Sequence, residues 1–130
     1  MEAAERRTDF AGEIMVLKER TTLEQLIHDG NRYYPDRVKF CIDRKRRTVA
    51  IDCSFYIEME YELYDDGSNP TDIFGGDIVI DEPDSLKNHI VWEAHPNIEQ
   101  NRILGIGSGR ELVDETIIEE LKGILTEWII

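Results

Sequence analysis

No apolar run in this chain approaches the roughly 18 residues that a membrane span requires. The first dozen residues, Met1 to Gly12, lack the apolar middle of a secretion signal. These two absences predict a cytoplasmic protein. Cysteine is scarce, with only Cys41 and Cys53. In a hairpin the two would fall on opposite sides of the sheet, so a disulfide between them is not expected. Basic residues are missing from one long stretch: residues 48–86 contain no lysine and no arginine. The chain lacks the G-x-x-x-x-G-K-[ST] phosphate loop and any serine elbow.

The chain has 130 residues and a net charge of −13. Its length fits one domain able to bury a core without disulfides or metal. Residues 1–12 read as a frayed segment and 13–130 as a single α+β domain. The acidic balance repels phosphate backbones and anionic lipid, so neither nucleic acid nor membrane is an expected partner.

Residues 48–64 alternate between apolar and polar. Val49, Ile51, Cys53, Phe55, Ile57, Met59, Tyr61 and Leu63 form one set, and Asp52, Ser54, Glu58, Glu60 and Glu62 fall in the other. This period predicts one long strand with a dry face and a wet face. At about 3.3 Å per residue it would span some 50 Å, so a bend or bulge is expected. A strand over 37–43 precedes it, joined by the basic connection Arg44-Lys45-Arg46-Arg47. With no Gly or Asn to supply positive φ, a two-residue type I′ turn is not expected there.

Other elements follow from shorter signals. Residues 13–17 read as a strand and 21–34 as a helix ended by Pro35. Residues 65–76 read as a loop, with strands at 77–81 and 89–94. A last helix starts at the N-cap Asp114 and carries the stripe Ile117, Leu121, Ile124, Leu125 and Trp128. The order implies a curved antiparallel sheet of four to five strands backed by two helices on its dry face.

The charge pattern carries the functional expectation. Glu58, Glu60 and Glu62 would stand in a row on the wet face, about 6.6 Å apart. Such a row needs neutralising by solvent, a cation or a basic partner. The expected function is a binding or interaction module using this acidic face, toward a basic protein or a second copy of the chain. No cofactor is implied.

Two alternatives follow from other residues. A metal-assisted, hydrolase-like enzyme would use Glu58, Glu60, Glu93 and His95 as ligands of a divalent cation. Here His89, Val91, Glu93 and His95 would share one strand face. Nucleotide binding would instead use the glycine loop at 105–109. Its G-x-G-x-G spacing is not the dinucleotide fingerprint.

A resemblance rests on longer motifs. Ala50-Ile51 through Glu58-x-Glu60, Asp66-Gly67-Ser68 and Asp72-Ile73-Phe74-Gly75, then Asn97-Ile98, Asn101-Arg102 and the terminal helix, resemble a family of small uncharacterised prokaryotic proteins classed as a domain of unknown function. The likeness runs from about Val38 to Ile130. Where members of that family often have a glutamate and a histidine, this chain has Ser54 and Tyr56. The resemblance implies the fold and supplies no chemistry.

Overall fold

The computed structural model describes residues 16–22, 25, 34, 36–52, 55–79 and 90–129. Strand β1 spans Arg37–Asp43 and β2 spans Thr48–Ile51. Both are rich in β-branched and aromatic side chains, which suit a packed pleat. They pair antiparallel, with Phe40 opposite Ile51 and Asp43 opposite Thr48. The connection is a four-residue turn, as the absence of Gly and Asn requires. Asp43 Oδ1 accepts the Lys45 and Arg46 amides, both at 2.9 Å, and the Arg47 amide donates to the Asp43 carbonyl at 2.8 Å. Arg47 takes φ 59° to close it.

The long strand expected over 48–64 is not formed. The chain leaves the sheet at Asp52, whose φ is 61°, and helix α1 spans Tyr56–Asp65. Strand β3 spans Ile73–Val79 and takes the other edge of β1, with Cys41 opposite Gly75 and Phe40 opposite Gly76. Strand β4, Ile90–Val91, pairs with Asp77 and Ile78. The sheet is antiparallel throughout, in the order β2-β1-β3-β4. Helix α2 spans Pro96–Leu104 and α3 spans Glu115–Trp128.

Both faces of this sheet are dry, and helices cover each. On one face Val38, Phe40, Ile42, Val49, Ile51, Phe74 and Ile78 pack with Ile117, Leu121, Ile124 and Leu125 of α3. Trp92 meets Phe40 edge to face at 5.4 Å. On the other face Cys41, Ala50 and Ile73 pack with Met59 and Leu63 of α1. An α+β fold with an antiparallel sheet is therefore present. The three helices among the described residues lie on two sides rather than two helices on one, because the segment after β2 folds back as α1 over the face expected to be wet.

Gly75 and Gly76 sit mid-strand, where a loop was expected. A side chain on Gly76 would come within 2.7 Å of the Val91 carbonyl oxygen and 2.9 Å of Phe40 Cζ. Glycine permits that close approach of strand to strand.

Helix α3 starts as expected: Asp114 Oδ1 accepts the Ile117 amide at 3.0 Å. The Trp128 indole donates to the Arg47 carbonyl at 2.8 Å and Ile129 is buried, which fixes this end of the helix against the β1–β2 turn. Among the described residues no helix is long and apolar enough to cross a membrane. Of the segment expected as strand 13–17, Val16 bridges to Ala50. The expected frayed segment 1–12, most of the helix expected at 21–34, Cys53, Ser54 and His89 lie outside the described residues.

Candidate functional site

Helix α1 is oriented by Met59 and Leu63, one turn apart, both fully buried against the sheet. At about 100° per residue, Glu60 and Tyr64 then fall on one flank of the helix. That flank faces the start of α2. Helix α2 is placed by Pro96 at its first turn and by Asn97, whose amide is buried against Gly75. Between the two helices lies a pocket of about 230 Å³. Glu60, Tyr64, Pro70, His95, Glu99 and Gln100 are among the residues that line it.

The polar groups of this pocket differ in their partners. Gln100 is buried and donates to the Pro70 carbonyl at 2.8 Å, which holds the 3-10 turn Pro70–Asp72 at one wall. Glu99 is paired with Arg102, and that contact holds its carboxyl below the usual glutamate range. Tyr64 donates to Glu60 Oε1 at 3.2 Å. The second oxygen, Glu60 Oε2, is buried and has no hydrogen-bond partner among the described residues. Burial raises the Glu60 carboxyl above its ordinary value, opposed by the Tyr64 hydrogen bond and by His95. The Tyr64 phenol is pushed up to about 12, first by burial and then by the Glu60 charge beside it.

A separate polar group lies under the first turn of α1. Asp77 on β3 is 3 % exposed. It accepts the Tyr56 hydroxyl at 2.5 Å and Arg37 Nη1 at 3.1 Å, with Lys39 Nζ 3.8 Å away. The Lys39 ammonium lies 4.3 Å from the Tyr56 ring centroid and 5.1 Å from that of Tyr34. The Tyr56 phenol is raised strongly, first by burial and then by the Asp77 carboxylate. This network is internally satisfied, with the buried acid balanced by two cations and a hydroxyl.

The residues singled out from sequence separate in space. Glu60 and His95 line one pocket. Glu58 does not: it stands at the first turn of α1, where its Oε1 accepts the Phe55 amide at 3.3 Å. Glu93 is exposed, its backbone bridged to Glu111. The four expected metal ligands thus do not line a common site, and among the described residues no group of three or more His, Cys, Asp or Glu side chains is placed to hold a metal. Glu58, Glu60 and Glu62 do not form a row on a sheet either. Residues i and i+4 share a helix face, so Glu58 and Glu62 stand on one flank of α1 and Glu60 on another. The alternation at 91–95 does hold: Trp92 and Ala94 are buried while Val91, Glu93 and His95 are exposed.

Cys41 is fully buried and packs beneath α1, which suits a space-filling role. The glycine loop follows the C-terminal end of α2. Gly105 closes that helix with φ 72°, and the Asn101 amide donates to the Gly109 and Glu111 carbonyls at 3.0 and 2.8 Å. A phosphate is favoured at a helix N-terminus, whereas this loop adjoins the opposite pole. Tyr64 and Gln100 were not legible as site residues. Once α1 is a helix, Tyr64 follows from the one-turn spacing to Glu60. Nothing local in the sequence marks Gln100.

Fold and pocket together define a small α+β protein with a two-sided antiparallel sheet and a carboxylate-bearing cleft between two of its helices. Residues 15–127 match the family described as "protein of unknown function (DUF5674)", and the chain belongs to that family. No curated protein and no solved structure matches it.

Proposed function

We propose that this protein is a binding module that takes a cationic hydrogen-bond donor, an ammonium or guanidinium group, into the cleft between α1 and α2. The observation that carries the reading is Glu60 Oε2, a buried carboxylate oxygen without a donor among the described residues. Such an atom is costly to leave unsatisfied, and a charged donor returns more than a neutral one. The net charge of −13 and the lack of Lys and Arg over 48–86 support a basic ligand, because the field steers cations toward this side of the chain. A divalent cation is the competing occupant, but among the described residues no three His, Cys, Asp or Glu side chains are placed to hold one, and hard cations take six or so oxygens.

The test is an NMR titration of the Glu60, Tyr64 and His95 resonances with a tetralysine peptide, with tetraglutamine as control. Saturable shifts with tetralysine are expected, weakened by salt and abolished in Glu60→Gln. Identical shifts in Glu60→Gln, or none in the natural chain, would overturn the reading. A melting temperature raised by manganese or zinc and restored by EDTA would transfer the cleft to a metal ion.

A further inference from the structure

The outer surface of α1 is ordered in stripes. Advancing about 100° per residue, the helix turns from buried Met59 and Leu63 to Glu60 and Tyr64 at the cleft. Next come Ile57 and Tyr61, and then Asp65, Glu58 and Glu62. Ile57 is 49 % exposed and Tyr61 58 % exposed. The Tyr61 ring packs against that of Tyr64 in a T-shaped pair, centroids 5.8 Å apart and planes at 71°. An apolar strip one turn long therefore runs along the helix with a carboxylate on the cleft side and three on the other. Neither Lys nor Arg occurs in α1 or in the segments on either side of it.

We infer that this strip is the docking surface for a basic amphipathic peptide segment of a partner protein. Its apolar residues cover Ile57 and Tyr61, and its lysines or arginines reach the flanking acids. The inference rests on the cleft reading in one respect: the cation taken up by Glu60 is a side chain of that same segment. Charge complementarity selects this occupant. Apolar area alone would fit many partners, but carboxylates on both sides exclude an acidic or neutral one. A second copy of the chain fits less well, because four of its described arginines are already paired internally. Arg37 pairs with Asp77, Arg44 with Glu120, Arg46 with Asp66, and Arg47 with Glu127.

The experiment uses the full chain and a fluorescein-labelled leucine–lysine amphipathic peptide, followed by anisotropy. Ile57→Ser and Tyr61→Ser are each expected to raise Kd about tenfold or more, as an interface anchor does on truncation. Both residues are exposed, so the melting temperature should hold. Neutralising Glu58, Glu62 and Asp65 together should weaken binding and flatten its salt dependence. Neutralising the exposed acids Glu115 and Glu119 on α3 should change neither. An equal loss from the α3 variant would reduce the effect to net charge and overturn the proposal, as would retained affinity in Ile57→Ser and Tyr61→Ser. So would a concentration-dependent dimer abolished by those same substitutions, which would make a second copy the occupant. Glu60→Gln separates the two readings: loss on the strip with no effect at Glu60 keeps the surface and removes the cleft, and the reverse keeps only the cleft.

Discussion

The side-chain amide of Asn97 pairs with the peptide group of Gly75. The Gly75 amide donates to Asn97 Oδ1 at 2.8 Å, and Asn97 Nδ2 donates to the Gly75 carbonyl at 3.0 Å. Continuing the β3–β4 register would bring Glu93 opposite Gly75, but β4 ends at Val91. One asparagine thus supplies the donor and acceptor that the missing strand would have given. Asn97→Ala leaves a buried N–H and C=O unpaired, which should cost about 2–4 kcal/mol. Urea unfolding of the variant would measure it. A loss near zero would mean that the two groups find other partners.

Two glycines of the chain should respond differently to the same substitution. Gly76→Ala forces a methyl to within 2.7 Å of the Val91 carbonyl oxygen, so β4 must move away from β3. A destabilisation of about 2 kcal/mol or more is expected. At Gly105 nothing among the described residues lies within 4 Å of the added carbon, and its φ of 72° is what resists a side chain. Gly105→Ala should cost about 1 kcal/mol. Thermal melts of the two variants would rank them. The reverse order would contradict this placement of β3.

The hairpin β1–β2 and helix α3 could be read from sequence because each has a single dominant pattern. Val38, Phe40 and Ile42 alternate in a short run, and Ile117, Leu121, Ile124 and Leu125 repeat at helical spacing. Residues 55–64 carried two patterns at once. Ile57, Met59, Tyr61 and Leu63 alternate, yet only Met59 and Leu63 are buried, a pair one turn apart. Alternation cannot tell that pair from a strand face. Composition could have, since Glu and Met favour helices and Glu is depleted in strands. The 50 Å span implied for a single strand pointed the same way. Strand β3 was hidden by Gly75-Gly76, which signal a loop until the Phe40 ring and the Val91 carbonyl show why no side chain fits. The pocket joins α1 to the start of α2 across some 35 residues (on the order of a whole βαβ unit), and no local pattern encodes that meeting.

The Tyr56–Asp77 contact should be worth more than an ordinary surface hydrogen bond. Asp77 is buried, and Tyr56 is one of three groups that neutralise or bind it. Tyr56→Phe keeps the ring beside Lys39 and removes only the hydroxyl. A hydrogen bond to a charged group contributes about 1.5–3 kcal/mol, and a loss in that range is expected on denaturant unfolding. Asp77→Asn, which takes the carboxylate from Lys39 and leaves Arg37 with Asp36 alone, should cost more. Equal stability of Tyr56→Phe and the natural chain would show that Arg37 and Lys39 alone satisfy the acid.

Glu60 makes stability depend on pH in the direction opposite to most carboxylates. Its folded carboxyl titrates above the ordinary value of 4.5, chiefly because burial penalises the charged form. Between those two points the folded chain holds a proton that the unfolded chain has released. Its contribution is therefore fully present below pH 4.5 and is lost as pH rises through the folded value. Glu60→Gln cannot ionise, so its stability relative to the natural chain should climb across that window. Tyr64 reports the same pair from the other side. In Glu60→Gln its phenol should fall from about 12 toward the ordinary 10.0, since a neighbouring negative charge is gone. It should not fall all the way, because burial is the larger cause. Absorbance titration of the two proteins checks this. An unmoved Tyr64 would mean that the carboxylate does not face the phenol in solution, and the unpaired oxygen at the cleft would lose its place in the proposed recognition.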